Sequence, residues 1–214
     1  MSKLLTEQNF IDAAKSLIVE VATIKAVAEV ESRGAGFFND GRPKILFEAH
    51  IFSAKTNHVY DNSHPNISSR KWNKKLYKGG TKEYIRLDEA SNLNRTAALS
   101  SASWGKFQVM GFNAVSCGWN SVDKFVVDMY KNEGEHLKAF VGFVNVNNLA
   151  KYLRSKDWAK FAGGYNGPAY KENKYDNKMA EAYKKYEKDD NQAFKDLADF
   201  IEDFPIRPID TYNS

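Results

Sequence analysis

The sequence predicts a mainly α-helical, α+β domain with one small β-hairpin or sheet element near residues 38–52. Three observations lead there. Apolar residues recur at i, i+3, i+4 and i+7 in several separate stretches, the spacing that lines one face of a helix. One stretch, Lys44–Phe52, alternates with period two instead, as a strand with one buried face does. No internal repeat or low-complexity block offers a competing architecture.

Taken in order, Phe10, Ile11, Ala14, Leu17 and Ile18 form the first helical stripe, with Thr6 placed to cap it. A second helix carries Ile24, Val27 and Ala28 and ends near Gly34. Asn39-Asp40-Gly41 is a turn signal before the strand, in which Ile45, Phe47, Ala49 and Ile51 share one side and Leu46, Glu48 and His50 the other. From Ser53 to Asn94 the chain is polar and irregular, a length of loop that marks function or mobility. Helical spacing resumes with Ala90, Leu93, Ala97 and Ala98. It continues with Val122, Phe125, Val126, Met129 and Tyr130, and then with Leu137, Phe140, Val141 and Val144. Trp158, Phe161, Ala162 and Tyr165 make a further stripe, followed by Tyr175, Met179, Ala182, Tyr183 and Tyr186. A last amphipathic set (Phe194, Leu197, Ala198, Ile201) precedes an extended, proline-containing tail.

Composition narrows the function classes. A chain of 214 residues, 43% hydrophobic, can bury its own core without covalent staples. Its net charge of +4, from 31 basic and 27 acidic residues, is too small an excess to point to duplex DNA and suits an anionic polymer met by diffusion. The single cysteine, Cys117, cannot form an intramolecular disulfide, which points to a reducing compartment. The opening "MSKLLTEQNF" lacks an apolar run of signal-peptide length, and no stretch nears the roughly 20 apolar residues of a membrane span. An intracellular chain without membrane insertion is expected.

The chemistry centres on "AVAEVESRGAGFF", which carries two glutamates. At about 100° per residue, Val27, Ala28 and Glu31 fall within about 60° of Ile24, whereas Glu29 falls on the opposite side. Glu31 therefore sits on the apolar stripe at the last turn. Burial disfavours its ionised form, and so does the partial negative charge of the helix C-terminus. A carboxyl held protonated at the lip of a groove is what a general acid in glycoside cleavage requires. Gly34 and Gly36 would let the backbone turn sharply and leave room for a bulky substrate. An inward-facing glutamate can equally bind a backbone N–H or an arginine such as Arg33 or Arg42, and the stripe alone leaves both readings open.

Other chemistries find no support. His50, His58, His64 and His136 show no metal-ligand spacing, so no metal or other cofactor is expected. Cys117 reads as a packing residue, and there is no Gly-x-Ser-x-Gly elbow or phosphate-binding glycine loop. The basic run Arg70, Lys71, Lys74, Lys75, Lys78 and Lys82, interleaved with Trp72 and Tyr77, fits either a nucleic-acid surface or a solvated face.

Three segments in order, "VESRGAGFFNDGRPKILFEAHIF" (Val30–Phe52), "AALSSASWGKFQVMGFN" (Ala97–Asn113) and "DWAKFAGGYNGPAYKENKYD" (Asp157–Asp176), resemble the N-acetylmuramidase domain of phage endolysins. In pattern they are also similar to the wider lysozyme-like group of goose-type lysozymes and lytic transglycosylases. The resemblance implies a single lysozyme-like catalytic domain over residues 1–214, with a core of about 5–187 and a C-terminal extension, 188–214, that has no counterpart. It implies cleavage of the β-1,4 bond between N-acetylmuramic acid and N-acetylglucosamine in peptidoglycan. Glu31 takes the general-acid position. Ser103, Gly105 and Gln108 support the glutamate and line the saccharide groove, and Tyr165 and Asn166 sit beside the acid and the N-acetyl group. Lys106 and Phe107 depart from the "GLMQ" commoner in transglycosylases.

Among the aromatics, Trp104 and Tyr165 lie inside the motifs and are the expected sugar-stacking faces, ahead of Trp72, Tyr77 and Trp119. Glu48 matches a glutamate of the muramidase pattern and is the candidate second carboxylate. Asp40, Asp61 and Asp88 are alternatives, and Glu48 could instead pair with Arg42 or Arg70. Glu133 is expected to be a buried structural acid. By the same resemblance the partner is the peptidoglycan glycan strand, met by a monomer that uses no nucleic acid and waits in the host cytoplasm until lysis. The basic run then gains a third reading, attraction to the acidic wall. A lytic transglycosylase and a non-catalytic wall-binding module are the rival functions.

Overall fold

Helix α1 (Glu7–Leu17) starts where the sequence places it, at Thr6. The Thr6 hydroxyl accepts from the Asn9 N–H and the Asn9 side chain accepts from the Thr6 N–H, so two end donors that no helical carbonyl could serve are satisfied. Ile18 does not extend the stripe. It adopts a left-handed conformation that closes the helix and leaves its side chain 75% exposed. Helix α2 (Val21–Glu31) buries Ile24, Val27 and Ala28, and Glu31 is its last residue. The computed structural model describes residues 3–31 and 34–203, with the side chains of 168, 169 and 191–203 outside that description. Arg33 and the tail beyond 203 therefore lie outside the described residues, as do the side chains of the Phe194–Ile201 set.

The alternating run is only partly a strand. Strand β1 (Ile45–Phe47) stops at Glu48, which leads into helix α3 (Ala49–Lys55). The same letters that alternate also place Ala49, Phe52 and Ser53 at i, i+3 and i+4, and it is this face that is buried. Strand β2 (Ala102–Trp104) pairs antiparallel with β1, and β3 (Val109–Met110) antiparallel with β2, so the sheet runs β1-β2-β3. The β2–β3 hairpin is too short for a period of two to be visible in the sequence.

Between α3 and the next long helix the chain runs through turns and two single 3₁₀ turns, Lys74–Leu76 and Gly80–Lys82. The segment is anchored by a buried ion pair. Glu83 accepts from the Lys78 and Gly79 N–H groups at 2.6 and 2.9 Å and from Arg86 at 2.8 Å. Arg86 in turn donates to the Phe47 carbonyl at 2.9 Å. Glu83 also opens helix α4 (Glu83–Ser100), earlier than the apolar stripe at Ala90 predicts, because its first turns are held by this polar network. Asn94 breaks α4, and its side chain accepts from the Ala97 N–H to restart it.

Helices α5 (Val122–Met129), α6 (Glu133–Val146) and α8 (Trp158–Asn166) follow the predicted stripes, with a short α7 (Ala150–Arg154) between the last two. Phe125, Phe140 and Phe161 are fully buried, each stabilising the fold by about 1.5–3 kcal/mol. Helix α9 (Tyr175–Asp203) runs unbroken through the two sets that the sequence separates. It lies along α2, with Ala22 and Ala26 meeting Ala182 and Tyr183. Among the described residues, no helix is long and apolar enough to cross a membrane.

Candidate active site

The helical stripe that buries Ile24, Val27 and Ala28 carries Glu31 to the lip of a cleft of about 660 Å³. Glu29 points the other way, where Lys185 and Tyr186 of α9 donate to its carboxylate. Beside it, the end of α8 supplies Asn166, whose Nδ2 donates to Glu31 Oε1 at 2.7 Å. Arg42 is not a partner of Glu31, because it is engaged twice by Asp40, at 2.9 and 2.7 Å.

The sheet forms the opposite wall. Alternation on β2 turns Ser103 toward the cleft, opposite Leu46 on β1, and turns Trp104 away. Trp104 is thus no sugar platform: it is 1% exposed, and its indole N–H donates to the Leu99 carbonyl at 3.1 Å. Ser103 Oγ donates to Gln108 Oε1 at 2.7 Å, while Gln108 Nε2 donates to the Gly105 carbonyl at 2.8 Å and the Lys44 carbonyl at 3.2 Å. The Gln108 amide is therefore a staple between the hairpin turn and β1. Its left-handed backbone, with φ +51°, is held by those three bonds.

Tyr165 forms the floor. Its hydroxyl donates to the Phe107 carbonyl at 2.8 Å, and its ring stacks on Phe161 at 5.8 Å and meets Phe140 edge-on. Burial, and then the charge of Glu31, push its phenol far above the ordinary range, so it stays a neutral donor. One face of the ring is already covered by Phe161, so Tyr165 presents the cleft with a dry wall more than with an open stacking surface. Lys44, Asn113 and Tyr175 also line the cleft and were not singled out from the sequence. Asn113 ends the second motif segment and Tyr175 lies in the third, and that position is the one signal for them.

A second network, unseen in the sequence, fixes the loop that follows α2. Glu133 is 2% exposed, as expected of a structural acid. It accepts from the Gly36 N–H at 2.6 Å and the Leu5 N–H at 3.3 Å, and pairs with Lys106 at 3.2 Å. Lys106 also donates to the Gly34 carbonyl. Behind it the fully buried His136 accepts from the Lys106 N–H at Nδ1 and faces the Met129 carbonyl at 2.7 Å through Nε2, so the neutral Nε2–H tautomer satisfies both. Burial lowers the pKa of this imidazole. Gly36 and Gly105 both press on the ring, where an added Cβ would lie 2.6 Å from it. The room that Gly36 provides is thus for His136 and not for a substrate, whereas a Cβ added at Gly34, where φ is +86°, would meet nothing within 4 Å.

Glu48 follows β1, two residues beyond Leu46 of the cleft wall. The Tyr77 hydroxyl donates to its carboxylate at 2.8 Å, Trp72 Nε1 donates to that hydroxyl at 2.8 Å, and His50 Nδ1 stands 3.3 Å from Oε2. Burial and this carboxylate push the Tyr77 phenol up to about 12. Arg70 pairs with Asp61 and not with Glu48. Asp88 lies in a separate groove with Asp123 and Arg95. Among the described residues that line the cleft, Glu31 is the one carboxylate, and no group of three His, Cys, Asp or Glu side chains among the described residues is placed to hold a metal.

A family model described as N-acetylmuramidase matches residues 20–187, a span that contains Glu31, Glu48, Ser103, Gln108, Tyr165 and Asn166. Among solved structures, the crystal structure of the Burkholderia AP3 phage endolysin superposes with a TM-score of 0.84 at 42% identity, covering 88% of this chain and 73% of that one. No curated protein matches the chain.

Proposed function

This chain belongs to the N-acetylmuramidase family, and from that premise we propose that it hydrolyses the β-1,4 bond between N-acetylmuramic acid and N-acetylglucosamine with Glu31 as proton donor. The observation that carries the assignment is the seat of Glu31, the last residue of α2, in the cleft and bonded to Asn166 at 2.7 Å. A protonated Glu31 that accepts from Asn166 at Oε1 carries its hydrogen on Oε2. Donation from Oε2 to the glycosidic oxygen lets the bond to the leaving sugar break as positive charge grows on the anomeric carbon. Tyr165, neutral and hydrogen-bonded to the Phe107 carbonyl, keeps that side of the acid dry.

Water completes the reaction. We assign its activation to Glu48, which is positioned by Tyr77 and His50 at the end of the strand that lines the cleft. The lone carboxylate among the cleft-lining residues favours a second reading, in which the muramoyl 6-hydroxyl attacks and an anhydro sugar results. Mass spectrometry of digested peptidoglycan separates them: reducing-end muramic acid supports hydrolysis, and 1,6-anhydromuramic products overturn it. Glu31→Gln should lower turbidity clearance of wall suspensions by about 10²–10⁴-fold with the fold intact. Full clearance by that variant would overturn the assignment of Glu31 as proton donor. The 42% identity to a phage endolysin supports a setting in which the chain meets the wall on release from the host cytoplasm at lysis.

A further inference from the structure

The segment from Ser69 to Lys82 carries Arg70, Lys71, Lys74, Lys75, Lys78 and Lys82 and no acidic residue. Setting those six aside leaves 25 basic against 27 acidic residues, so the net positive charge of the whole molecule resides in this one stretch. All six side chains are exposed, and among the described residues none of the five lysines is paired with a carboxylate. Arg70 alone has a partner, Asp61, at 3.3 Å.

The stretch is nonetheless held firmly. Its backbone is tied down by Glu83 at Lys78 and Gly79, and Asn73 caps the turn at Lys75. Trp72 is 60% exposed, meets Tyr77 edge-on at 6.4 Å and donates to its hydroxyl, which in turn donates to Glu48. Gly80, in the same stretch, lines the cleft that holds Glu31. A rigid, uncompensated cationic ledge therefore continues from the cleft mouth.

We propose that this ledge is a docking site for the carboxylates of the peptide stems that a glycan strand carries beyond the cleft. The proposal rests on peptidoglycan being the substrate. A strand seated at Glu31 projects its stems past the cleft mouth, and stem carboxylates are the anions that its own chemistry brings there. The lysines point outward, so neutralising them leaves the anchoring bonds of Glu83 and Tyr77 in place.

The test uses the full chain with Glu31→Gln, so that binding is read without cleavage, and compares it with the same chain carrying Lys74→Gln, Lys75→Gln, Lys78→Gln and Lys82→Gln. Binding is measured by co-sedimentation with intact sacculi and by fluorescence anisotropy with the soluble, stem-free glycan strands that an amidase releases from them. On intact sacculi at about 50 mM salt the lysine variant should bind at least about tenfold more weakly, equivalent to about 1.4 kcal/mol spread over four exposed contacts. The difference should vanish at about 500 mM salt, where screening is severe, and on stem-free strands at either salt. Equal binding of the two proteins to intact sacculi overturns the proposal. So does a loss that persists on stem-free strands, or one that follows removal of wall phosphate polymers in place of stems. Failure of the substrate reading looks different, because wild-type protein would then release no muropeptides from intact sacculi.

Discussion

Three glycines near the helix that carries Glu31 separate two costs that usually occur together. Gly34 has φ +86° with nothing within 4 Å of an added Cβ, so Gly34→Ala carries only the left-handed backbone penalty, about 1–2 kcal/mol. Gly36 has no such backbone demand, but its Cβ would stand 2.6 Å from His136 Nδ1 and 3.0 Å from Lys106 Cβ. Overpacking against a buried ring costs about 1–3 kcal/mol. Gly105 combines both, with φ +71° and three ring atoms at 2.6–2.7 Å, so Gly105→Ala should cost about 2–5 kcal/mol. Urea unfolding of the three variants reads these values from midpoints at constant slope. A double-mutant cycle then pairs Gly36→Ala with His136→Ala. With the ring gone, the Gly36 penalty should fall by at least about 1 kcal/mol, while Gly34→Ala should add independently. If Gly34→Ala proves the costliest of the three, or the Gly36 penalty survives without His136, the ring contact is not why these positions are glycine.

Other outcomes follow from the same geometry. Asn166→Ala removes a 2.7 Å bond to Glu31, worth about 1.5 kcal/mol, and should lower kcat about tenfold with little change in KM; a loss confined to KM would contradict a positioning role. Because burial depresses the His136 pKa, the unfolded chain binds a proton that the folded chain resists, so stability is full above the ordinary imidazole range near pH 6.5 and falls as pH drops below it. The slope should approach about 1.4 kcal/mol per pH unit, measured by urea midpoints between pH 7.5 and 5, and a flat profile would refute it. Trp104→Phe should destabilise the fold by about 1–3 kcal/mol through the lost bond to the Leu99 carbonyl, yet leave KM for peptidoglycan within about twofold; a large rise in KM would return Trp104 to the substrate.

Much of the helical framework was legible because burial repeats with the helical period: the stripes of α1, α2, α5, α6 and α8 can each be read off as lists of apolar letters. Where polar residues make the element, that signal is absent. The first turns of α4 begin at Glu83, held by Arg86 and backbone donors, and carry no stripe to find. The run at residues 44–52 satisfied two periods at once, and only the packing of Ala49, Phe52 and Ser53 chose helix over strand after Phe47. Trp104, expected from its motif position to stack on sugar, turns away from the cleft for a related reason: a motif position does not reveal which way a three-residue strand turns its side chains.

From the letters alone, the inward direction of Glu31 was determined, because a helix ties a residue's direction to its distance from its neighbours at i−3, i−4 and i−7. What faces that acid was decided only in three dimensions. Asn166 lies 135 positions further on, and Gly36 and Gly105 owe their identity to one imidazole on α6. Contacts of that range follow from how the helices and the sheet close on one another, and no local period in the chain records them.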